Sequence, residues 1–165
     1  ILIVNNISNN VLSAPLKIFL SITNECNLQC LHCFNYIDKK SERLKYIDIS
    51  TLKKIINICK TYGIFELKLS GGEPFLHPNF IKILKLLEKE EIMYTIYTNG
   101  SYLSEKNCSI LKKLKYLKKI KVSIEGSKEI NDYIRGKDSF NNVIKYCKNI
   151  IIYKKYHIIQ YNFTK

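Results

Sequence analysis

Short apolar runs alternate along this chain with longer stretches in which apolar residues recur every three or four positions. The runs 16–23 (LKIFLSIT), 65–69, 92–98, 121–124 and 156–163 have strand length and strand composition. Between them, Leu52, Ile55, Ile56 and Cys59 mark the inner stripe of a first helix, capped by Ser50 and ended by Gly63. Phe80, Ile83, Leu84 and Leu87 line a second, with Pro78 as its first helical residue. Ser104 caps a third, where Cys108, Leu111 and Leu114 share a face. Asp138 caps a fourth, long helix carrying Phe140, Val143, Ile144, Cys147, Ile150 and Ile151. Strand and helix thus alternate four times before a last strand, which predicts an α/β domain with a parallel sheet and right-handed crossovers.

Five strands do not close an eight-stranded barrel, which typically takes about 250 residues. An uncovered edge of a parallel sheet is also a liability. The expectation is therefore an open barrel, truncated after its fifth strand, in a chain that continues. An Ile rather than a Met at position 1 points the same way. Residues 1–15, Asn-rich and ending at Pro15, form a lead-in segment, and residues 16–165 form an incomplete core domain. No stretch reaches the roughly 20 apolar residues of a membrane span, and the opening apolar run is too short for a signal sequence.

The formal charge of +13 raises the possibility of a polyanionic partner. Against it, only Arg43 and Arg135 are arginine, whereas bidentate recognition of phosphate and base edges favours that residue. Lysine-covered helix faces in a compositionally biased chain account for the charge more simply, and a nucleic-acid partner is not expected. Of the six cysteines, Cys59, Cys108 and Cys147 sit on helical stripes as small buried apolar residues. The other three are clustered, so a reducing cytoplasm fits better than a disulfide framework.

Those three, Cys26, Cys30 and Cys33, lie in the segment CNLQCLHCF directly after the first strand. Three thiolates are an incomplete set for structural zinc, which usually takes four protein ligands. They are a natural set for a cubane iron–sulfur cluster with one iron left open. His32 would complete a zinc set, but its adjacency to Cys33 makes a shared ion awkward.

In parallel α/β architectures chemistry collects at the C-terminal ends of strands, and the other unusual clusters fall there too. Gly71-Gly72-Glu73-Pro74 follows the second strand. Its glycines let the backbone approach a ligand closely. Its carbonyls, with the Glu73 carboxylate, can accept from an ammonium group, and Pro74 fixes the exit from the turn. Thr98-Asn99-Gly100 follows the third strand, and Ser123-Ile124-Glu125-Gly126 the fourth. Ser123 and Glu125 point to one side, and a carboxylate buried there needs a partner. Asp132 to Gly136 (DYIRG) comes next, and Asn162 lies near the end of the fifth strand. His77 reads as a helix-entry residue.

Taken together, CxxxCxxC with an aromatic residue before the last cysteine, GGEP, TNG, the Ser-apolar-acid-Gly stretch and D-x-x-R-G resemble the radical S-adenosylmethionine (radical SAM) superfamily. The resemblance leans toward its peptide- and protein-modifying, maturase-like (SPASM-type) subgroup. It implies a partial, open parallel (β/α)6 TIM-like barrel. It also implies a 4Fe-4S cluster on Cys26, Cys30 and Cys33, whose open iron chelates S-adenosyl-L-methionine. Gly71, Gly72, Glu73 and Pro74 would then hold the amino group of the methionyl moiety, and His32 would pack against the adenine. Asn99, Ser123, Glu125 and Asn162 would reach the cofactor, and Phe34 would cover the cluster. Arg135 is left with two roles, pairing with the methionyl carboxylate or with Glu125 or Asp132. The implied activity is reductive cleavage of S-adenosylmethionine to a 5′-deoxyadenosyl radical that abstracts hydrogen from a peptide or small-molecule precursor. An electron donor such as flavodoxin or ferredoxin is implied as well. The contrasting expectation is a nonenzymatic, zinc-stabilised α/β nucleic-acid-binding module, which would need a fourth metal ligand.

Overall fold

The computed structural model describes residues 14–33 and 45–146 in full, and residues 147–151 and 157–160 as backbone. Phe34, Asn162, the side chain of Cys147 and most of the lead-in segment lie outside the described residues. Five strands, β1 (Lys17–Thr23), β2 (Glu66–Gly71), β3 (Met93–Thr98), β4 (Leu117–Ile124) and β5 (His157–Gln160), form one sheet in that order. Every neighbouring pair is parallel. A doubly wound sheet reverses its strand order at a switch point. Here each strand simply joins its predecessor, as barrel staves do, so the expected open, partial β/α barrel is what forms.

Helices α1 (Ile49–Tyr62), α2 (Phe80–Lys89), α3 (Glu105–Leu111), α4 (Lys128–Arg135) and α5 (Ser139–Ile151) fill the crossovers. The core lies between them and one face of the sheet. Strand residues such as Leu67, Leu69, Ile96 and Ile120 pack with Leu52, Ile56, Ile83 and Leu87 of the helices. Cys59 and Cys108 belong to that core, and burial pushes both thiols up. The opposite face of the sheet is the barrel interior. Among the described residues no helix is long and apolar enough to cross a membrane.

Three helix starts differ from the sequence expectation. Asp48, not Ser50, caps α1, because its carboxylate accepts from Thr51 N at 2.8 Å and also from the Ser50 and Thr51 hydroxyls. A carboxylate there also suits the positive end of the helix dipole. Pro78 lies outside α2: after the GGEP turn the chain makes a 3-10 turn over Pro74–Leu76 and resumes helix only at Phe80. His77 steers this entry, accepting from Asn79 N through Nδ1 at 3.0 Å while Nε2 sits 2.9 Å from Ile47 O.

At α5 the acceptor is Asp132 rather than Asp138. Asp132 Oδ1 accepts from Phe140 N at 2.8 Å and from the Ser139 hydroxyl at 3.1 Å, while Asp138 turns the chain at φ 62. Strand β4 starts at Leu117, four residues before the expected position, behind the exposed pair Lys118 and Lys119. Helix α4, capped by Ser127, was not expected at all. Its apolar positions Ile130, Tyr133 and Ile134 recur at helical spacing but only over eight residues, and its buried positions are instead Asn131 and Arg135.

Candidate functional site

Strand β1 ends at Thr23 and delivers the cysteine loop across the C-terminal ends of β2 and β3. There, Cys26, Cys30 and Cys33 open on one cavity of about 210 Å³ with His32, Gly71, Gly72, Asn99 and Arg135. Residues 26–135, scattered through the sequence, thus meet at one place. Ser70 and Tyr97, which the sequence did not single out, complete the wall from the inner face of the sheet.

The two glycines are explained by the chain itself. A Cβ on Gly72 would stand 2.1 Å from Glu25 O, and one on Gly71, at φ +130, would stand 2.1 Å from Thr23 O. The loop leaving β1 lies directly against them, fastened by Gly72 N to Thr23 O and Glu73 N to Glu25 O, each 2.7 Å. Close approach does require these glycines, as expected, but the approaching group is the base of the cysteine loop rather than a ligand. The glycines therefore set where the thiols stand.

A second tie comes from the far side, where Leu31 N donates to Ile134 O of α4 at 2.9 Å. Cys26 Sγ accepts from Leu28 N at 3.5 Å and from Asn99 Nδ2 at 3.9 Å; Asn99 also donates to Asn27 Oδ1 at 2.9 Å. Asn99 is thus a brace for the loop as well as a cavity wall. Burial pushes the Cys26 and Cys30 thiols up, and negative neighbours, including the other thiols, push the same way. For Cys30 the strongest opposing influence is the Arg135 guanidinium. Three thiolates so close repel one another, and a bound metal centre, which deprotonates its thiol ligands outright, removes that obstacle.

The donor set fits a cluster. Cys26, Cys30 and Cys33 open on one cavity, and three thiolates are the ligand set of an iron–sulfur cubane with one iron left open, whereas structural zinc usually takes four protein ligands.

Glu73 is fully buried and does not line the cavity. Its Oε1 accepts from the Thr98 hydroxyl at 2.7 Å and Phe75 N at 3.4 Å, and its Oε2 accepts from Asn99 N at 2.8 Å. Burial pushes its carboxyl to about 7, with the Asn99 and Thr98 donors pulling the other way. It clamps the end of β3, and with it Asn99, to the turn that carries the glycines. Pro74, also buried, opens the 3-10 turn behind it.

Glu125 is buried just past β4, and the sequence expectation that it needs a partner is met by Arg135. The Arg135 Nε donates to Glu125 Oε1 at 3.0 Å, and Nη2 makes a second, shorter bond to the same oxygen. Of the two protein partners expected for Arg135, it pairs with Glu125, while Asp132 is occupied by Lys128 and the start of α5; Arg135 also lines the cavity. His32 Nε2 also faces Glu125 Oε1 at 3.5 Å. Glu125 Oε2 is buried with no hydrogen-bond partner among the described residues. A buried carboxylate oxygen without a donor is costly, and Glu125, like Glu73, stands behind the cavity wall rather than in its lining. Ser123 is half-buried on the inner face of β4, two residues before Glu125, and is not part of the cavity wall.

Asn131 was missed by the sequence reading. Fully buried, it accepts from Glu125 N at 3.1 Å and donates to the Ser139 hydroxyl at 2.8 Å, which fixes α4 under the acidic loop. A larger hollow of about 390 Å³ shares Leu28 and Arg135 with the site but contains none of the thiols.

This geometry agrees with comparisons to known proteins. Residues 20–159 match the model of the Radical SAM superfamily. The chain is 30% identical over 142 residues to the antilisterial bacteriocin subtilosin biosynthesis protein AlbA of Bacillus subtilis, covering 85% of this chain and 31% of that protein. It is 28% identical to the mycofactocin maturase MftC of Mycolicibacterium smegmatis, covering 84% of this chain and 35% of that one. It superposes on crystal structures of Streptococcus suis SuiB bound to the precursor peptide SuiA (TM-score 0.74, 26% identity, 90% of this chain, 33% of that chain). The SuiB structure bound to S-adenosylmethionine gives TM-score 0.75 at 25% identity, with 90% and 34% covered. The chain spans about a third of the length of these curated relatives. With the matched segment running from β1 to β5 and enclosing the thiol-lined cavity, the chain belongs to the radical SAM superfamily.

Proposed function

We propose that the protein is a radical SAM enzyme that modifies a peptide, with a 4Fe-4S cluster on Cys26, Cys30 and Cys33 and S-adenosylmethionine beside it. The observation that carries this reading is the opening of all three thiols on a single cavity at the strand ends. The chemistry this pair supplies when bound is reductive cleavage of S-adenosylmethionine to a 5′-deoxyadenosyl radical, which abstracts hydrogen from substrate.

The chain's own contribution is positioning and exclusion of water. Gly71 and Gly72 seat the cysteine loop, and Glu73 fixes the Thr98–Asn99 end of β3 against it. The backbone carbonyls of the GGEP turn are the acceptors for the amino group of the methionyl moiety, since the Glu73 oxygens already hold protein donors. His32 lies at the wall for contact with the adenine. Glu125, whose Oε2 has no hydrogen-bond partner among the described residues, is assigned a ribose hydroxyl as its donor. Arg135 neutralises Glu125 and places a positive charge near Cys30, while Asn99 donates toward Cys26. Ser123, on the inner face of β4, and Asn162, outside the described residues, are assigned to the cofactor by the family resemblance alone. The required electron comes from a flavodoxin or ferredoxin type of donor.

A peptide substrate is supported by the relatives: SuiB is solved with a precursor peptide, and MftC is named a maturase. The test is anaerobic incubation of the full-length protein with S-adenosylmethionine and dithionite, with 5′-deoxyadenosine measured by mass spectrometry. The wild type should form it and the C26A/C30A/C33A variant should not. Equal yields from both would refute the assignment.

A further inference from the structure

The inner face of the sheet carries chemistry that neither the cluster nor the cofactor accounts for. Strand register places Lys17 beside Glu66, Phe19 beside Lys68, and Tyr97 beside Lys121 on this face. Lys17 is neutralised by Glu66 at 3.0 Å. Lys68 and Lys121 have no carboxylate within ion-pair distance among the described residues. Each instead lies over an aromatic ring, Lys68 Nζ 4.3 Å from the Phe19 centroid and Lys121 Nζ 5.0 Å from that of Tyr97. The two rings touch each other, with centroids 5.4 Å apart. The result is one continuous wall, ammonium–ring–ring–ammonium, crossing the four strands β1 to β4.

A ring face orients an ammonium group without neutralising it, and the nearest acidic group on this face, Glu66, which feels Lys68, is itself bonded to Lys17 and Thr95. Both half-buried lysines are therefore held with N–H donors available to an anion. Phe19 is 63% exposed on the same wall, and Tyr97 also lines the cavity shared by the thiols. A carboxylate entering between these low-dielectric surfaces is attracted more strongly than at an open helix face. Neither cation is arginine, whose planar fork serves phosphate recognition, so the wall suits a carboxylate better than a nucleic-acid backbone.

We propose that Lys68 and Lys121, seated over Phe19 and Tyr97, form the anion-recognising wall of the substrate chamber, and that the peptide presents an acidic side chain to it. This rests on the reading that the adjoining cavity holds the cluster and cofactor.

The experiment uses the full-length, cluster-loaded protein and two capped hexapeptides, alternating Gly-Glu and alternating Gly-Gln, in calorimetric titrations. The acidic peptide should bind and the amide peptide should not. Binding should weaken by about tenfold or more in K68Q/K121Q. In K54Q/K85Q, which removes two exposed lysines from α1 and α2, it should stay within about twofold. An unchanged electron paramagnetic resonance (EPR) signal of the reduced cluster with S-adenosylmethionine in K68Q/K121Q shows that the variant is intact. Equal binding of the two peptides, equal loss in both double variants, no binding by a wild type with a normal cluster signal, or displacement of the acidic peptide by hexauridylate would each overturn the inference. No cluster signal in the wild type would remove the reading on which it rests, and the inference with it.

Discussion

Replacing Gly72 with Ala tests the construction of the cysteine loop most sharply. The added Cβ would meet Glu25 O at 2.1 Å and Glu25 C at 2.6 Å, both backbone atoms that cannot rotate aside. An ordinary C···O contact is about 3.3 Å, so the loop must retreat by roughly 1.2 Å. The bonds from Gly72 N to Thr23 O and from Glu73 N to Glu25 O, both 2.7 Å, then pass out of range. Each contributes about 1 kcal/mol net, and overpacking of this kind costs about 1–3 kcal/mol more. The total is about 3–5 kcal/mol, a large part of the roughly 5–15 kcal/mol that holds a typical domain folded.

The control is Gly63→Ala, where φ is +67 but nothing lies within 4 Å of the new Cβ. That variant bears only left-handed strain, about 1 kcal/mol. Urea unfolding of the cluster-free protein should separate the two variants by about 2 kcal/mol or more. Iron per chain after anaerobic reconstitution should fall in G72A and stay normal in G63A. A G72A protein as stable as G63A, with full iron, would refute the claim that the glycines exist to seat the loop.

Two further predictions follow from the buried carboxylates. Burial raises the Glu73 carboxyl from its ordinary 4.5 to about 7 in the folded protein. Its contribution to stability is therefore fully present below the ordinary value and is lost as pH rises toward the folded value. Between about pH 4.5 and pH 7 the stability difference between wild type and Glu73→Gln should shift by roughly 3 kcal/mol against the wild type; parallel stability–pH curves for the two proteins would show that Glu73 does not titrate in this way. Arg135→Ala leaves Glu125 buried and uncompensated, which should cost about 3–5 kcal/mol, and the double variant Arg135→Met with Glu125→Leu should recover most of it; the thermal unfolding midpoints of the three proteins check this.

The frame of the molecule was written plainly in the chain. Runs of strand length separated by apolar stripes gave the element order, and Cys26, Cys30, Cys33 and the GGEP turn marked the strand ends where the site lies. What stayed hidden has a common physical cause, namely polar groups satisfied by other parts of the chain. Helix α4 is only eight residues long and buries Asn131 and Arg135 while Ile130 and Tyr133 of its apolar positions stay exposed, so its burial runs against its hydrophobic pattern. Asp132 caps α5 with its side chain from the preceding helix, while the nearer Asp138 contributes through its backbone, turning the chain and accepting from Asn142 N. Glu73 and the two glycines have residue types suited to a ligand, yet their contacts are with Thr98, Asn99 and the loop after β1. Local sequence identifies residues of unusual chemistry; which of them face a ligand and which face the chain is decided by contacts between distant segments.

The most direct test of the account is the EPR spectrum of the anaerobically reconstituted, reduced full-length protein, recorded before and after addition of S-adenosylmethionine. The account predicts a reduced 4Fe-4S signal that changes on addition, as an open iron requires, and that is lost in Cys26→Ala, Cys30→Ala and Cys33→Ala. Stoichiometric zinc with no cluster signal, or a cluster signal indifferent to S-adenosylmethionine, would contradict it.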